Sequence, residues 1–400
     1  MFYVSKVSPF FFLVGIVSLV LSLFMKLVDT HGFIFFTLLV FGFVGSVLIG
    51  AMYQIVPNSQ NRKLSWHRVS YGVLGGVLLS LILLYFGHLK TGSIILSLSY
   101  CLFLLHIVLN IKNWMPVTVK FLGVSALYLA LSSVFLALHL NYGFVSLQLA
   151  IHTLTLGAML NAVYGVEIAW IPMLLMETLN VRKARMLFYL KQASTLAMLF
   201  SFFLMDYRLI SIVALAELAV FLYFGHLMFF LIKHRRMPSP IPNVVKAFLL
   251  ALIFLPVGFI FGMLSAGMPQ ALHKLYILHI DLVLYGFTAF TIFGGITHLL
   301  PRIVWNWKLA HLKGKAPPIN ELVNEKGFIP FLERAVLLFV LFVAVDSLPS
   351  PLSSLSPLLY IVIVGDFIRI TFLHLIRKIR EVKYGGDKVS GDELSGRQAQ

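Results

Sequence analysis

The sequence predicts an all-α polytopic membrane protein with about twelve transmembrane helices. Hydrophobic residues make up 60% of the 400-residue chain and charged residues 12%, which leaves too little polar sequence to coat a soluble core. Apolar runs of about 20 residues, the length that crosses a hydrocarbon layer of roughly 30 Å, recur from end to end. The first run is too long for a signal peptide and lacks a small-residue cleavage site, so we expect it to remain as the first span.

Polar breaks divide the apolar runs into three groups of four predicted spans. They lie near 8–27, 31–56, 68–87 and 92–111, then 119–138, 145–175, 186–205 and 209–232, and then 244–267, 274–300, 329–347 and 355–375. The polar connection at about 302–328 predicts a surface loop, with a short interfacial helix as an option. The Gly-rich, charged stretch 377–400 has no periodicity, and we expect a disordered cytoplasmic tail there.

Lys and Arg are concentrated in alternate loops, which orients the chain. The formal charge of +16 would suit a nucleic-acid-binding protein, but this distribution is the signature of membrane topology, and we expect no nucleic-acid partner. We therefore predict that both termini face the cytoplasm. The basic loops carry Arg62, Lys63 and Arg68, then Lys112 and Lys120, then Arg182, Lys183 and Arg185, and then Lys233, Arg235 and Arg236.

The chain has a single cysteine, Cys101. One cysteine excludes a disulfide framework, a cysteine-ligated iron–sulfur cluster and covalent haem attachment through a pair of thiols. Any cofactor must therefore be held by other ligands.

One motif occurs three times, in the second span of each group of four. The copies are GFVGSVLIGAMYQIVP, GAMLNAVYGVEIAWIP and GFTAFTIFGGITHLLP. The repeat predicts three parallel four-helix units, about 1–115, 116–240 and 241–376, in a pseudo-threefold arrangement within one transmembrane domain of residues 1–376. In each copy a second glycine follows eight positions after the first and a proline seven after that: Gly42, Gly50 and Pro57; Gly157, Gly165 and Pro172; Gly286, Gly294 and Pro301.

At about 100° per residue, the two glycines and the proline of each copy fall on one face of a helix, which we expect to end at the proline. Small residues on one face let a partner approach the backbone closely. That partner is either a neighbouring helix, the common use of glycine in membrane helices, or the flat surface of a macrocycle.

A histidine precedes the first glycine of every copy: His31, His152 and His279. An ionisable residue within the hydrocarbon region is costly and by default marks a ligand, a relay or a pathway. Helical arithmetic places His31 and His279 near the glycine face and turns His152 to another face. Imidazole beside glycine faces is how helix bundles hold b-type haem. We therefore predict these histidines as haem-iron ligands and the six motif glycines as cofactor-binding residues.

Two more histidines, His106 in the fourth span and His226 in the eighth, occupy equivalent positions in successive groups. Each is either a further haem ligand or a residue hydrogen-bonded across the bundle. The acids in the spans need partners or protons, and a haem propionate, a proton path or a simple hydrogen bond would each serve. These acids are Glu167, Glu217 and Asp281.

In the last span Arg369 follows Asp366 after three residues. Residues at this spacing lie on the same side of a helix, which predicts a structural ion pair.

The third copy, in LHIDLVLYGFTAFTIFGGITHLLPRI, resembles helix ten of the catalytic subunit of haem–copper oxidases and nitric oxide reductases. The first copy, through GAMYQIVPNSQNRKLSW, and HTLTLG at 152–157 are similar to the NnrS family and related oxidase-like proteins. Twelve spans with the N-terminus inside also agree with that superfamily. The resemblance covers about the whole chain and implies a bacterial or archaeal plasma membrane.

The resemblance places His279 where the first histidine of the helix-ten pair holds the high-spin haem. Asp281 stands where the second histidine would bind the low-spin haem, and a carboxylate is a poor substitute there. The seventh span, ARMLFYLKQASTLAMLFSFFL, contains no histidine for a copper site. The resemblance therefore implies haem b without copper and argues against oxygen reduction at a haem–copper centre.

We therefore expect a b-type haem-binding protein of this superfamily that transfers electrons or binds a small gas such as nitric oxide or oxygen. As an enzyme it would be an oxidoreductase, but not a standard oxygen-reducing oxidase. Expected partners are membrane lipid and a redox donor such as quinol or cytochrome c, and a homo-oligomer is left open. Two alternatives remain: a proton- or cation-coupled transporter, and a cofactor-free assembly protein on an oxidase-like scaffold.

Overall fold

The computed structural model describes residues 3–28, 32–236, 240–267, 273–312, 316–349 and 351–382, and all regular structure within them is helical. Twelve helices are long and apolar enough to span a membrane, which confirms the predicted all-α membrane fold. They are α1 (Ser8–Leu27), α2 (Phe33–Ser59), α3 (Arg68–Tyr85), α4 (Leu89–Asn110), α5 (Val117–Tyr142), α6 (Leu147–Leu174), α7 (Val181–Leu204), α8 (Tyr207–Lys233), α9 (Asn243–Gly267), α10 (Lys274–Leu312), α11 (Ile319–Asp346) and α12 (Leu352–Val382).

The motif helices do not end at their prolines, so that prediction was wrong. Pro57 and Pro172 are each followed by two more helical residues, and α10 continues past Pro301 to Leu312. A proline removes one backbone hydrogen bond, but membrane helices tolerate it because local π or 3₁₀ adjustments and neighbouring groups re-satisfy the freed carbonyl. In α10 a π segment, Trp305–Leu309, follows the proline after one turn.

Two predicted irregular segments are partly helical as well. The connection at 302–328 begins with the end of α10 and ends with the start of α11, which includes the short helical turn Ile319–Leu322. The last helix runs through Val382, so disorder does not begin at residue 377 as predicted. The rest of that tail, 383–400, lies outside the described residues.

Each motif helix contains a π-helical segment that encloses its first glycine. A π-helix bonds residue i to residue i+5 and therefore turns by less than 100° per residue. The arithmetic that placed His152 on a different face from the other motif histidines does not hold across such segments. The segments are Thr37–Gly45 in α2, Thr153–Met159 in α6 and Asp281–Thr288 in α10.

The six motif glycines lie against side chains of neighbouring helices. A Cβ atom added to any of them would meet a side-chain atom at 2.6–2.9 Å, closer than real Cβ atoms come. The contacts come from α1 for the first copy, from α5 for the second, and from α9 and α11 for the third. The structure gives these glycines a helix-packing role, and protein side chains fill the faces on which we predicted a cofactor.

The three motif helices approach one another inside the bundle. α6 and α2 are the most buried of the twelve, with 83% and 78% of their most apolar stretches buried. The Thr288 hydroxyl of α10 donates to the Met159 sulfur of α6 at 3.0 Å. Together α2, α6 and α10 line a cavity of about 90 Å³, to which Phe12 and Phe248 of the preceding helices also contribute.

Candidate functional site

Two of the three motif histidines lie side by side between α6 and α10. The ring centroids of His152 and His279 are 6.4 Å apart, and the ring planes differ by 13°. The third predicted ligand, His31, lies outside the described residues. The structure therefore brings together both of the motif histidines for which it gives a position.

Each of these rings is oriented by a hydrogen bond at Nδ1. His279 Nδ1 lies 2.8 Å from the carbonyl oxygen of Gly258 in α9, and His152 Nδ1 lies 2.8 Å from the carbonyl oxygen of Gln148 one turn earlier in α6. Because a carbonyl oxygen only accepts, Nδ1 carries the proton in both neutral rings, and Nε2 keeps its lone pair. This is the arrangement by which proteins present an imidazole to a metal.

Packing holds the two rings in place. A Cβ atom added to Gly262 of α9 would lie 2.7 Å from His279 Nδ1, so that glycine makes room for the ring. The His152 ring stacks on Phe202 of α7 with centroids 3.9 Å apart and planes at 20°. The pair is thus fixed by α6, α7, α9 and α10. Within the part of the chain that the structure describes, no group of three or more His, Cys, Asp or Glu side chains forms a metal-ligand set.

The other two candidate ligands are far less suited to bind iron. His106 is buried with both ring nitrogens engaged, Nδ1 with the Tyr53 hydroxyl at 3.3 Å and Nε2 with the Ser65 carbonyl oxygen at 2.7 Å. This is the hydrogen-bonded alternative that the sequence left open. His226 is exposed on α8 and packs beside the ring of Phe230.

A buried ion-pair network begins two residues after His279. Lys26 Nζ of α1 lies 3.2 Å from Asp281 Oδ1 and 2.8 Å from Asp346 Oδ2, and Ser356 donates to Asp346. One ammonium group thus joins α1, α10 and α11. The second oxygen of Asp281 is buried without a hydrogen-bond partner among the described residues, and Asp281 and Lys26 line a cavity of about 230 Å³.

A second buried ion pair joins α7 and α8. Lys191 Nζ lies 2.8 and 3.0 Å from the two carboxylate oxygens of Glu217, and both side chains are fully buried. The Thr195 hydroxyl donates to the same carboxylate at 2.8 Å. Glu217 therefore has a structural partner, but it is a lysine, which none of our alternatives named.

Glu167 differs from the other two acids. Both of its carboxylate oxygens are buried, and neither has a hydrogen-bond partner in the described ranges. The side chain lines the cavity between α2, α6 and α10 together with Thr291, whose hydroxyl is likewise unpartnered. A lone buried carboxyl group is costly. Glu167 therefore places a costly polar group in a cavity whose wall is mostly apolar.

Sequence reasoning missed the two lysines of these networks. Lys191 lies ten residues after the start of α7, and a lysine so deep in an apolar span is itself a signal of a buried partner. Lys26 closes the apolar run of α1, where a basic residue commonly marks the membrane boundary. Nothing in the sequence distinguished it from such a residue.

The chain is similar over nearly its whole length to an uncharacterized protein of Aquifex aeolicus strain VF5. The two are 54% identical over 369 residues, which cover 92% of this chain and 97% of that protein. This chain belongs to that protein's family. No protein-family model matches the chain. The name of that relative carries no activity, so any function must be argued from the site.

Replacing Lys191 by Met is expected to lower the free energy of unfolding by about 3–5 kcal/mol, because Glu217 would keep a buried charge without its partner. In the double variant Lys191→Met with Glu217→Met, two apolar side chains replace the pair, and most of the loss should be recovered. Thermal unfolding of the purified proteins in one detergent measures both effects.

The control is Lys90→Met, which removes an exposed lysine from α4 and should change the free energy of unfolding by less than about 0.5 kcal/mol. A double variant as unstable as Lys191→Met alone would show that the pair is not the cause.

Proposed function

We propose that this protein is a b-type haem-binding integral membrane protein that transfers electrons or binds a small gas without a copper centre, and that His152 and His279 supply its iron ligands. The observation that carries the proposal is the histidine pair, in which the two rings lie side by side and each Nδ1 donates to a backbone carbonyl.

The donor set fits haem. Imidazole nitrogen is a common protein ligand of haem iron, and each of the two rings would offer its Nε2 atom. The ring centroids are 6.4 Å apart, so both rings would be available to one bound haem.

The cavities limit where a haem can lie. The cavity between α2, α6 and α10 has a volume of about 90 Å³, and none of the candidate histidines lines it. One water molecule needs about 10–15 Å³ of such space, so the cavity suits water or a small gas. The proposal therefore places the haem at the histidine pair, whose rings border Phe202 and Gly262.

A bound haem would supply a reversible one-electron couple, and it would offer a position to a gas only if one of the two imidazoles left the iron. The residues of this chain would hold and orient the iron. The Nδ1 hydrogen bonds would set the tautomer of both imidazoles. The ion pairs of Lys26 with Asp281 and Asp346 would hold α10 against α1 and α11 close to the site.

The proposal includes the haem–copper-oxidase-like scaffold, with three parallel four-helix repeats in a pseudo-threefold arrangement. Three observations support it: a π segment in each motif helix, motif glycines packed on the preceding helix, and one cavity lined by all three motif helices.

The basic loops support cytoplasmic termini. The plasma membrane location and a quinol or cytochrome c donor follow from the resemblance.

Proton- or cation-coupled transport is a second candidate, and Glu167 favours it. An unpartnered carboxyl group in a cavity between three helices is what an ion pathway across a membrane requires. The Lys26 network provides further ionisable groups along α10. Glu167 could serve either function as a polar group that lines the cavity. Only the haem-binding function needs the pair of His152 and His279.

The purified protein is expected to show a Soret band and the pyridine haemochrome spectrum of haem b. Because each imidazole holds the iron, His152→Ala and His279→Ala should each weaken haem binding by at least about tenfold. His226→Ala removes an exposed histidine and should keep the wild-type haem content. Absence of a Soret band, or full haem content in both site variants, would contradict the proposal.

For the second candidate, the measurement is proton uptake into proteoliposomes under a potassium diffusion potential, followed with an internal pH dye. If Glu167 lies on an ion pathway, uptake should fall in Glu167→Gln to the level of vesicles without protein. Equal uptake by the wild type and by Glu167→Gln would rule this pathway out and leave the haem proposal untouched.

A further inference from the structure

A groove on the outer surface between α11 and α12 combines an apolar wall with a small charged cluster. Its volume is about 450 Å³. The wall includes Leu338, Val362 and Ile363. The charged residues are Arg334 of α11 and Asp366 and Arg369 of α12.

The cluster carries one positive charge in excess, since two arginines share one carboxylate. Asp366 Oδ2 lies 2.6 Å from Arg334 Nη2, and Asp366 Oδ1 lies 2.6 Å from Arg369 Nη2. The Nε atom of each arginine donates to the same carboxylate oxygen as its Nη2 atom. This confirms the predicted pair of Asp366 with Arg369. Each guanidinium has five N–H donors, so donors remain on both, and the side chains are 49% and 63% exposed.

The surroundings place the cluster at the lipid-facing surface. Large apolar side chains of the same two helices, Leu337, Leu341 and Leu373, are 62%, 43% and 56% exposed, as side chains in contact with lipid are. A guanidinium in such surroundings is costly unless it meets an anion or reaches the headgroup layer. The excess charge therefore calls for a negative partner that is present in the bilayer itself.

Gly365 leaves room for a chain beside the charges. A Cβ atom added to Gly365 would have no atom within 4 Å, although the residue lines the groove. An extended hydrocarbon chain can therefore lie along the α12 backbone next to Val362. Glu333, the neighbour of Arg334 in sequence, is exposed but does not line the groove.

We propose that this groove binds an anionic phospholipid, with its phosphate on Arg334 and Arg369 and one acyl chain along Leu338, Val362 and Gly365. The planar guanidinium fork matches phosphate oxygens in geometry and charge. Basic pockets between membrane helices bind anionic headgroups in the same way.

The test is a lipid titration of the delipidated, purified full-length protein by native mass spectrometry. The probes are phosphatidylglycerol and phosphatidylcholine with the same acyl chains, and phosphatidylglycerol should bind more tightly. Arg334→Gln and Arg369→Gln should each weaken its binding by about fivefold, the effect of one basic side chain near an anionic headgroup. Each variant leaves Asp366 paired with the other arginine, so the fold is preserved. Gly365→Leu fills the position of the acyl chain and should weaken the binding of both lipids.

The matched control is Arg377→Gln, which removes an exposed arginine from the same helix, paired with Glu381 at 2.9 Å. It should bind phosphatidylglycerol as the wild type does. If Arg377→Gln lost as much affinity for phosphatidylglycerol as Arg369→Gln, the lipid would be held by a diffuse attraction to positive charge and not by the groove. Unchanged lipid binding in Gly365→Leu would overturn the proposal that the acyl chain lies in the groove. Displacement of the lipid by inorganic phosphate at equal concentration would show that the site binds a free anion and not a lipid.

Discussion

The absence of water from a membrane interior is the constraint on which this structure depends, because every buried polar group must find its partner within the bundle. Lys26 meets Asp281 and Asp346, and Lys191 meets Glu217, so that ion pairs hold distant helices together. Against this background, buried groups that have no hydrogen-bond partner among the described residues stand out, and they include the Glu167 carboxyl group. The transport candidate rests on Glu167, and the haem proposal rests on the pair of His152 and His279.

The triplicated motif connects the packing to the site. Its glycines bring α2, α6 and α10 against neighbouring helices, which leaves the opposite faces free to line one cavity. In α6 and α10 the π segments begin one and two residues after His152 and His279, and π turns are frequent at functional sites. In α6 and α10 the motif thus combines close helix packing with the position of a histidine.

Much of the fold follows from the sequence. The twelve spans are set by apolar length, and the pair of Asp366 with Arg369 is set by helical spacing. The meeting of His152 and His279 does not follow, because π turns break the 100° arithmetic and because no local pattern records which spans are neighbours. Lys26 was missed for a different reason. A lysine at the end of an apolar run has the same sequence signature whether it lies at the membrane surface or between two buried carboxylates.

Electron paramagnetic resonance of the oxidised, purified protein shows whether His152 and His279 bind the same iron, because two imidazoles on one ferric haem produce a low-spin signal. We expect this signal in the wild type and, in its place, a high-spin signal in His152→Ala and equally in His279→Ala. A low-spin signal that survives in either variant, or a wild-type protein with no haem signal, would show that the two histidines do not share an iron.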